Sequence, residues 1–121
     1  MKFGEVEAKF IFAEIIICLE FLHLKKVLYR DLKPENILID INGHLRLTDF
    51  GLCKIGMEGG DLTDSFCGSP EYMAPEVVNR TGHNYGVDFY TLGALLHELV
   101  CGLPPFYSQN PDEMMNNIIN Q

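Results

Sequence analysis

Apolar residues recur at helical spacing through residues 3–24, and on more than one stripe. Phe10, Ala13, Ile17 and Phe21 follow one line, while Ile11, Ile15, Cys18 and Leu22 follow the next. The pattern predicts a single helix from Phe3 to Leu24. A helix apolar round most of its circumference is expected in a core, packed on several sides. Ile37–Ile39 and Leu45–Leu47 are short and strand-like, and the Asn42-Gly43 pair between them predicts a hairpin. Residues 51–68 are rich in Gly, Asp, Ser and Thr and show no period, so they read as a long exposed loop. From Val87 to Cys101 the spacing of Phe89, Leu92, Leu96, Leu99 and Val100 predicts a second helix. In it Gly93-Ala94 would allow a close neighbour, and Gly102 with Pro104-Pro105 would end it. Asn110-Pro111 opens a last helix, Asp112 to Ile119, with acids in its first turn.

Composition narrows the class. The chain has 121 residues, room for one domain or for part of a larger one. With 47% hydrophobic and 21% charged residues it is globular rather than disordered. Nine Lys and Arg stand against 17 Asp and Glu, a formal charge of −8. Such a surface excludes general nucleic-acid binding and suits basic partners. Cys18, Cys53, Cys67 and Cys101 form no C-x-x-C pair, and the four histidines show no H-x-x-x-H spacing. Free thiols in a reducing compartment are expected, and zinc is not. The first seven residues have no signal-peptide pattern, and the apolar run Phe10 to Leu22 is broken by Glu14 and Glu20. The run is also too short to span a bilayer, so a soluble, cytoplasmic protein is expected.

Chemistry concentrates in Tyr29-Arg30-Asp31-Leu32-Lys33-Pro34-Glu35-Asn36, an acid, two cations and an amide just before the hairpin. Asp49-Phe50-Gly51 follows the hairpin, and Ala74-Pro75-Glu76 follows the long loop. In this order the segments resemble the C-terminal lobe of a eukaryotic protein kinase, along the whole chain. The resemblance implies a mainly α fold with a small β-hairpin, an α+β architecture. It also implies that residues 1–121 are an incomplete kinase domain, without the N-terminal lobe and the last helices. No G-x-G-x-x-G loop is present, for instance. Tyr29 stands where most kinases have His. With Ser65 to Glu76 and Gly102 to Tyr107, it resembles the AGC group, whose protein kinase B, serum/glucocorticoid-regulated and ribosomal S6 kinase branches are not ranked by these residues.

What the resemblance implies is ATP-dependent phosphorylation of Ser or Thr in protein substrates, with Mg²⁺. Asp31 would accept or orient the substrate hydroxyl proton, and Lys33 would neutralise the transferring phosphoryl group and contact the nucleotide. Asn36 and Asp49 would hold Mg²⁺ through hard oxygen ligands. Leu38 and Thr48 would line the adenine pocket from below. Ser65 takes the family's activation-loop phosphoacceptor position, with Thr63 a second candidate, and an upstream kinase would modify it. Arg30 and Lys54 would hold that phosphate. Glu35 and Glu98 would receive substrate arginines, and Ser69 would also face the substrate. The look-alikes mostly carry Thr at positions 65 and 69. Glu76 would pair with a later arginine, yet no Lys or Arg follows position 80, which leaves Arg80 open as a substitute. Asp88 would accept backbone N–H bonds from the catalytic loop, with a plain helix cap as the other reading. The alternative function is a truncated, non-catalytic protein that binds substrates or an upstream kinase.

Overall fold

The computed structural model describes residues 2–121. Helix α1 (Glu5–Leu24) starts after Gly4, with Glu5 and Glu7 in the first turn, where carboxylates favour the helix's positive end. It packs against α3 (Gly86–Cys101), β1 (Val27–Leu28) and β3 (Leu45–Leu47). Those neighbours cover only one side. Ala8, Ile11, Ile15 and Leu19 are buried, but Phe10, Ile17 and Phe21 are 47%, 63% and 60% exposed. The expected packing on several sides is therefore not seen among the described residues: the second stripe carries the core and the first faces out.

The hairpin forms from β2 (Ile37–Ile39) and β3, antiparallel, with Ile37 opposite Leu47 and Ile39 opposite Leu45. Its turn is held by Asp40, whose Oδ1 accepts the amides of Asn42 at 2.8 Å and His44 at 3.0 Å, with Gly43 at φ 85°. Glu14 of α1 ties the hairpin down. One carboxylate oxygen accepts the Leu45 amide at 2.7 Å and the other lies 2.6 Å from His44 Nδ1. These bonds hold the Glu14 carboxyl below its ordinary range, and the carboxylate in turn raises the His44 imidazole.

Residues 51–68 are not an unpaired loop. β4 (Lys54–Ile55) pairs antiparallel with β1, and Thr63 bridges His83. Beyond the loop come the short helix α2 (Pro75–Val78), then α3 and α4 (Pro111–Asn120). α3 buries Val87, Asp88, Thr91, Leu92, Ala94 and Leu95, whereas Phe89 and Val100 are exposed. Gly93 is exposed too, with no atom within 4 Å of where a Cβ would sit, so no close neighbour uses it. Gly102, at φ 94°, ends α3 in the left-handed conformation that glycine adopts without strain. Asn110 caps α4 through the Asp112 amide, at 3.0 Å.

Two buried clusters result. Ile11, Ile15, Leu19, Tyr29, Leu32, Leu45, Leu92 and Leu95 form one, between α1, β3 and α3. Leu28, Met57, Met73, Ala74, Val77 and Val87 form the other, beneath the segment after β4. Leu28 and Tyr29 are adjacent yet belong to different clusters, so the chain between β1 and β2 is anchored on both sides. All four cysteines are free, and burial pushes the Cys53 thiol up to about 11. Among the described residues no helix is long and apolar enough to cross a membrane.

Candidate active site

The loop from Tyr29 to Asn36 is positioned from below by Asp88, which is fully buried. Its Oδ1 accepts the Arg30 amide at 2.8 Å, and its Oδ2 accepts the Tyr29 amide at 3.0 Å. Asp88 is the third residue of α3, whose N-cap is Tyr85, so it does not cap the helix. Arg30 sits at φ 71°, a conformation a non-glycine residue holds only where its surroundings enforce it.

Tyr29 links this loop to the end of the hairpin. Its hydroxyl donates to the Thr48 carbonyl at 2.5 Å, and its ring meets Phe50 edge-on at 5.6 Å. Burial, and then the neighbouring Asp31 carboxylate, push its phenol well above the ordinary range. Thr48 reaches back, with its amide 2.9 Å and its hydroxyl 3.2 Å from the Asn36 carbonyl. Asp49 is the next residue after this contact. It adopts φ 56°, and its Oδ1 accepts the Gly51 amide at 3.2 Å.

Asp31 is the centre of the arrangement and is 6% exposed. Its Oδ2 accepts the Asn36 side-chain amide at 3.0 Å, and that amide also donates to the Asp31 carbonyl at 2.8 Å. The Ser69 hydroxyl donates to Asp31 Oδ1 at 3.3 Å. Lys33 Nζ lies 3.5 Å from the same oxygen and donates to Ser69 Oγ at 3.0 Å. One carboxylate therefore gathers an amide, a hydroxyl and an ammonium from two distant segments. With its NH₂ committed to Asp31, Asn36 has its carbonyl oxygen left for a cation. Among the described residues no group of three or more His, Cys, Asp or Glu side chains is placed to hold a metal. Asn36 with the exposed Asp49 nevertheless fits Mg²⁺, which takes one or two protein oxygens and completes its shell with phosphate and water. Leu38 is 55% exposed on β2.

A cleft of about 420 Å³ opens beside Lys33 and Ser69 and is lined by Glu35, Glu71, Tyr72 and Glu98. The Tyr72 hydroxyl donates to the Glu98 carboxylate, and burial with that carboxylate pushes the phenol up. Glu71 and Tyr72 are absent from the sequence-derived set. Their signal is position alone, two and three residues after Ser69 in the segment already singled out.

Other sequence-derived residues are not brought together. Ser65 is exposed, and its hydroxyl lies 3.4 Å from that of the buried Thr63, not on Arg30 or Lys54. Arg30 Nε donates to the Leu52 carbonyl at 2.7 Å, while its Nη1 is buried with no partner. Lys54 is exposed on β4. Glu76 makes no ion pair among the described residues, and Arg80 does not substitute for its partner, because its guanidinium stacks over Phe66 at 4.8 Å.

Comparison with known proteins follows the same residues. A model of the protein kinase domain matches residues 1–121. The chain is 52% identical to serine/threonine-protein kinase Sgk2 of Homo sapiens over 120 residues, 99% of this chain and 33% of that protein. It is 53% identical to Homo sapiens Sgk1 over 119 residues, 98% of this chain and 28% of that protein. It is 51% identical to Caenorhabditis elegans sgk-1 over 119 residues, 98% of this chain and 26% of that protein. The chain thus spans between 26% and 33% of the length of these relatives. Matched from end to end by the domain model, the chain belongs to the protein kinase family.

Proposed function

We propose that the protein carrying this segment transfers the terminal phosphoryl group of ATP to Ser or Thr hydroxyls in protein substrates with basic residues near the target. The observation that carries this reading is the convergence of Asn36, Lys33 and Ser69 on the single carboxylate of Asp31. Phosphoryl transfer needs positioning and charge neutralisation more than covalent chemistry, and this arrangement offers both. Asp31 orients the incoming hydroxyl and accepts its proton. Lys33 neutralises charge on the oxygens that move. Asn36 and Asp49 hold Mg²⁺, which neutralises phosphate oxygens when bound. Leu38 and Thr48 lie under the adenine.

The preference for basic substrates is supported by the acidic cleft. Glu35, Glu71 and Glu98 line it within a chain of net charge −8. Carboxylates converging on one guanidinium discriminate strongly. Glu98→Gln is expected to lower kcat/KM for a peptide with arginines upstream of its serine by about tenfold, erasing its preference over an alanine peptide. Steady-state kinetics on the two peptides measure this, and equal turnover of both by the unaltered enzyme would overturn the basic preference.

Regulation is read at Ser65. An exposed hydroxyl on this loop is accessible to an upstream kinase. Arg30 keeps a buried guanidinium nitrogen without a partner, and Lys54 is the nearest cation along the segment. A phosphate would supply charge-assisted acceptors for both and order the loop. Ser65→Ala is expected to reduce the activity of the activated kinase by at least about tenfold. Activity that survives Ser65→Ala unchanged would refute this site.

A further inference from the structure

The two residues read above as Mg²⁺ ligands stand at the open end of one hairpin. Asn36 directly precedes β2, and Asp49 lies two residues beyond β3. Across that end the Thr48 amide donates to the Asn36 carbonyl at 2.9 Å. Bonded pairs alternate along an antiparallel ladder. Counted from Asn36 and Thr48, the next bonded pairs are Leu38 with Arg46 and Asp40 with His44, and the Asp40 amide does donate to the His44 carbonyl at 2.8 Å. Leu45, opposite Ile39, falls between bonded pairs, so its N–H points away from β2. That amide needs an acceptor from outside the hairpin.

Glu14 of α1 supplies it. One carboxylate oxygen accepts the Leu45 amide at 2.7 Å, and the other lies 2.6 Å from His44 Nδ1. A carboxylate only accepts, so Nδ1 carries the proton. The His44 ring also lies 6.4 Å from that of Phe10, one turn before Glu14. Among the described residues these two contacts of Glu14 are the only hydrogen bonds between α1 and the hairpin. The open end is tied separately, where the Tyr29 hydroxyl donates to the Thr48 carbonyl. The hairpin is thus a short lever held at both ends. Four residues separate Leu45 from Asp49, about 13 Å of extended chain. The apolar side chains beneath it, Leu45 with the partly buried Ile37 and Leu47, resist lifting but set no direction. Without the directional tie at one end the hairpin can pivot on the other, and Asn36 and Asp49 move with it.

We propose that Glu14 is a positioning residue for the cation, acting through the Leu45 amide on the hairpin that carries Asn36 and Asp49. The proposal rests on the reading of those two residues as the Mg²⁺ ligands. Its test compares Glu14→Ala and Glu14→Gln in the longest natural chain that carries this segment. One measurement is the free Mg²⁺ concentration that gives half-maximal transfer to an arginine-containing serine peptide. The other is amide hydrogen exchange over residues 45–49 with neither nucleotide nor metal added.

Glu14→Ala is expected to raise the Mg²⁺ requirement by about tenfold, the lower end of what groups behind metal ligands contribute. KM for the peptide stays within about twofold, and exchange at Leu45 accelerates. Glutamine keeps a carbonyl acceptor at the same place, so Glu14→Gln returns the Mg²⁺ requirement to within about threefold of the parent and restores slow exchange. Should Glu14→Ala fail to fold, Glu14→Asp takes its place. It keeps the charge but falls one methylene short of β3, and the same losses are expected. Unchanged exchange and an unchanged Mg²⁺ requirement in the alanine variant overturn the proposal. So does faster exchange with an unchanged requirement, because Glu14 would then hold the hairpin without bearing on the cation. A folded glutamine variant as defective as the alanine variant overturns it too. Asp49→Asn tells the two readings apart. If it leaves the Mg²⁺ requirement unchanged, the reading of the ligands fails and the proposal with it. A requirement raised in Asp49→Asn but not in Glu14→Ala overturns the proposal alone.

Discussion

Asp31→Asn is expected to lower kcat by about two to four orders of magnitude while KM for ATP stays within about twofold. The substitution keeps the size of the side chain and removes its charge. In the parent, Asp31 accepts from Asn36, accepts from Ser69 and lies 3.5 Å from the Lys33 ammonium. An asparagine retains one carbonyl acceptor and turns a donor toward partners that are themselves donors. It also offers no base for the substrate hydroxyl. The Asn36 amide keeps the backbone carbonyl of residue 31 as an acceptor, which is why binding of the nucleotide is expected to survive. Single-turnover assays with a matched thermal midpoint measure the effect. A variant within about threefold of the parent would remove Asp31 from the mechanism.

The second large effect concerns stability. Asp88→Ala is expected to cost about 3–5 kcal/mol, because one buried carboxylate is the acceptor for three donors. Three donors lose their acceptor at once: the amides of Tyr29 and Arg30 and the His23 ring nitrogen. The Tyr29 amide bond is buried outright, and the other two are partly buried. Each orphaned donor costs about 1–3 kcal/mol when water cannot replace the acceptor. Typical domains hold only about 5–15 kcal/mol in total, so the loss is a large share of the whole. Asp88→Asn keeps one carbonyl acceptor and is expected to fall between the parent and Asp88→Ala. Urea midpoints at constant slope measure both. A loss under about 1 kcal/mol in Asp88→Ala would mean that other acceptors take over the loop.

How far the sequence reveals this arrangement depends on whether each feature is local. The hairpin is local: its strands, its Asn-Gly turn and its pairing lie within residues 37–47, and it is seen where expected. α3 is equally local, since its periodicity and its glycine stop are contiguous. β1 and β4 are not. Each is two residues long, too short to alternate, and they lie more than twenty residues apart, so only tertiary packing reveals the pair. The Thr63–His83 bridge escapes for the same reason. The burial of α1 is misjudged because both stripes are apolar, and which one is covered depends on what packs beside it. At the site, Asp31, Lys33 and Asn36 fall in one short motif and Asp49 in another. Glu14, Glu71 and Tyr72 have no motif of their own. Their importance lies in a partner 31 residues away, in a cleft wall, and in a carboxylate on another helix.

Among the described residues, four non-glycine residues have positive φ: Lys26, Arg30, Asp49 and Arg80. They divide into two kinds of evolutionary freedom. At 26 and 80 the backbone alone asks for glycine or asparagine, and the side chains meet only surface partners. Those positions are open to drift toward the residues that relax the backbone. At 30 and 49 the same relaxation would delete a guanidinium and a carboxylate to which the proposed function gives roles. Mutational paths that ease the fold and paths that preserve the chemistry therefore run in opposite directions there. On the proposed function, the strain at Arg30 and Asp49 is kept for the chemistry of those side chains rather than for the fold.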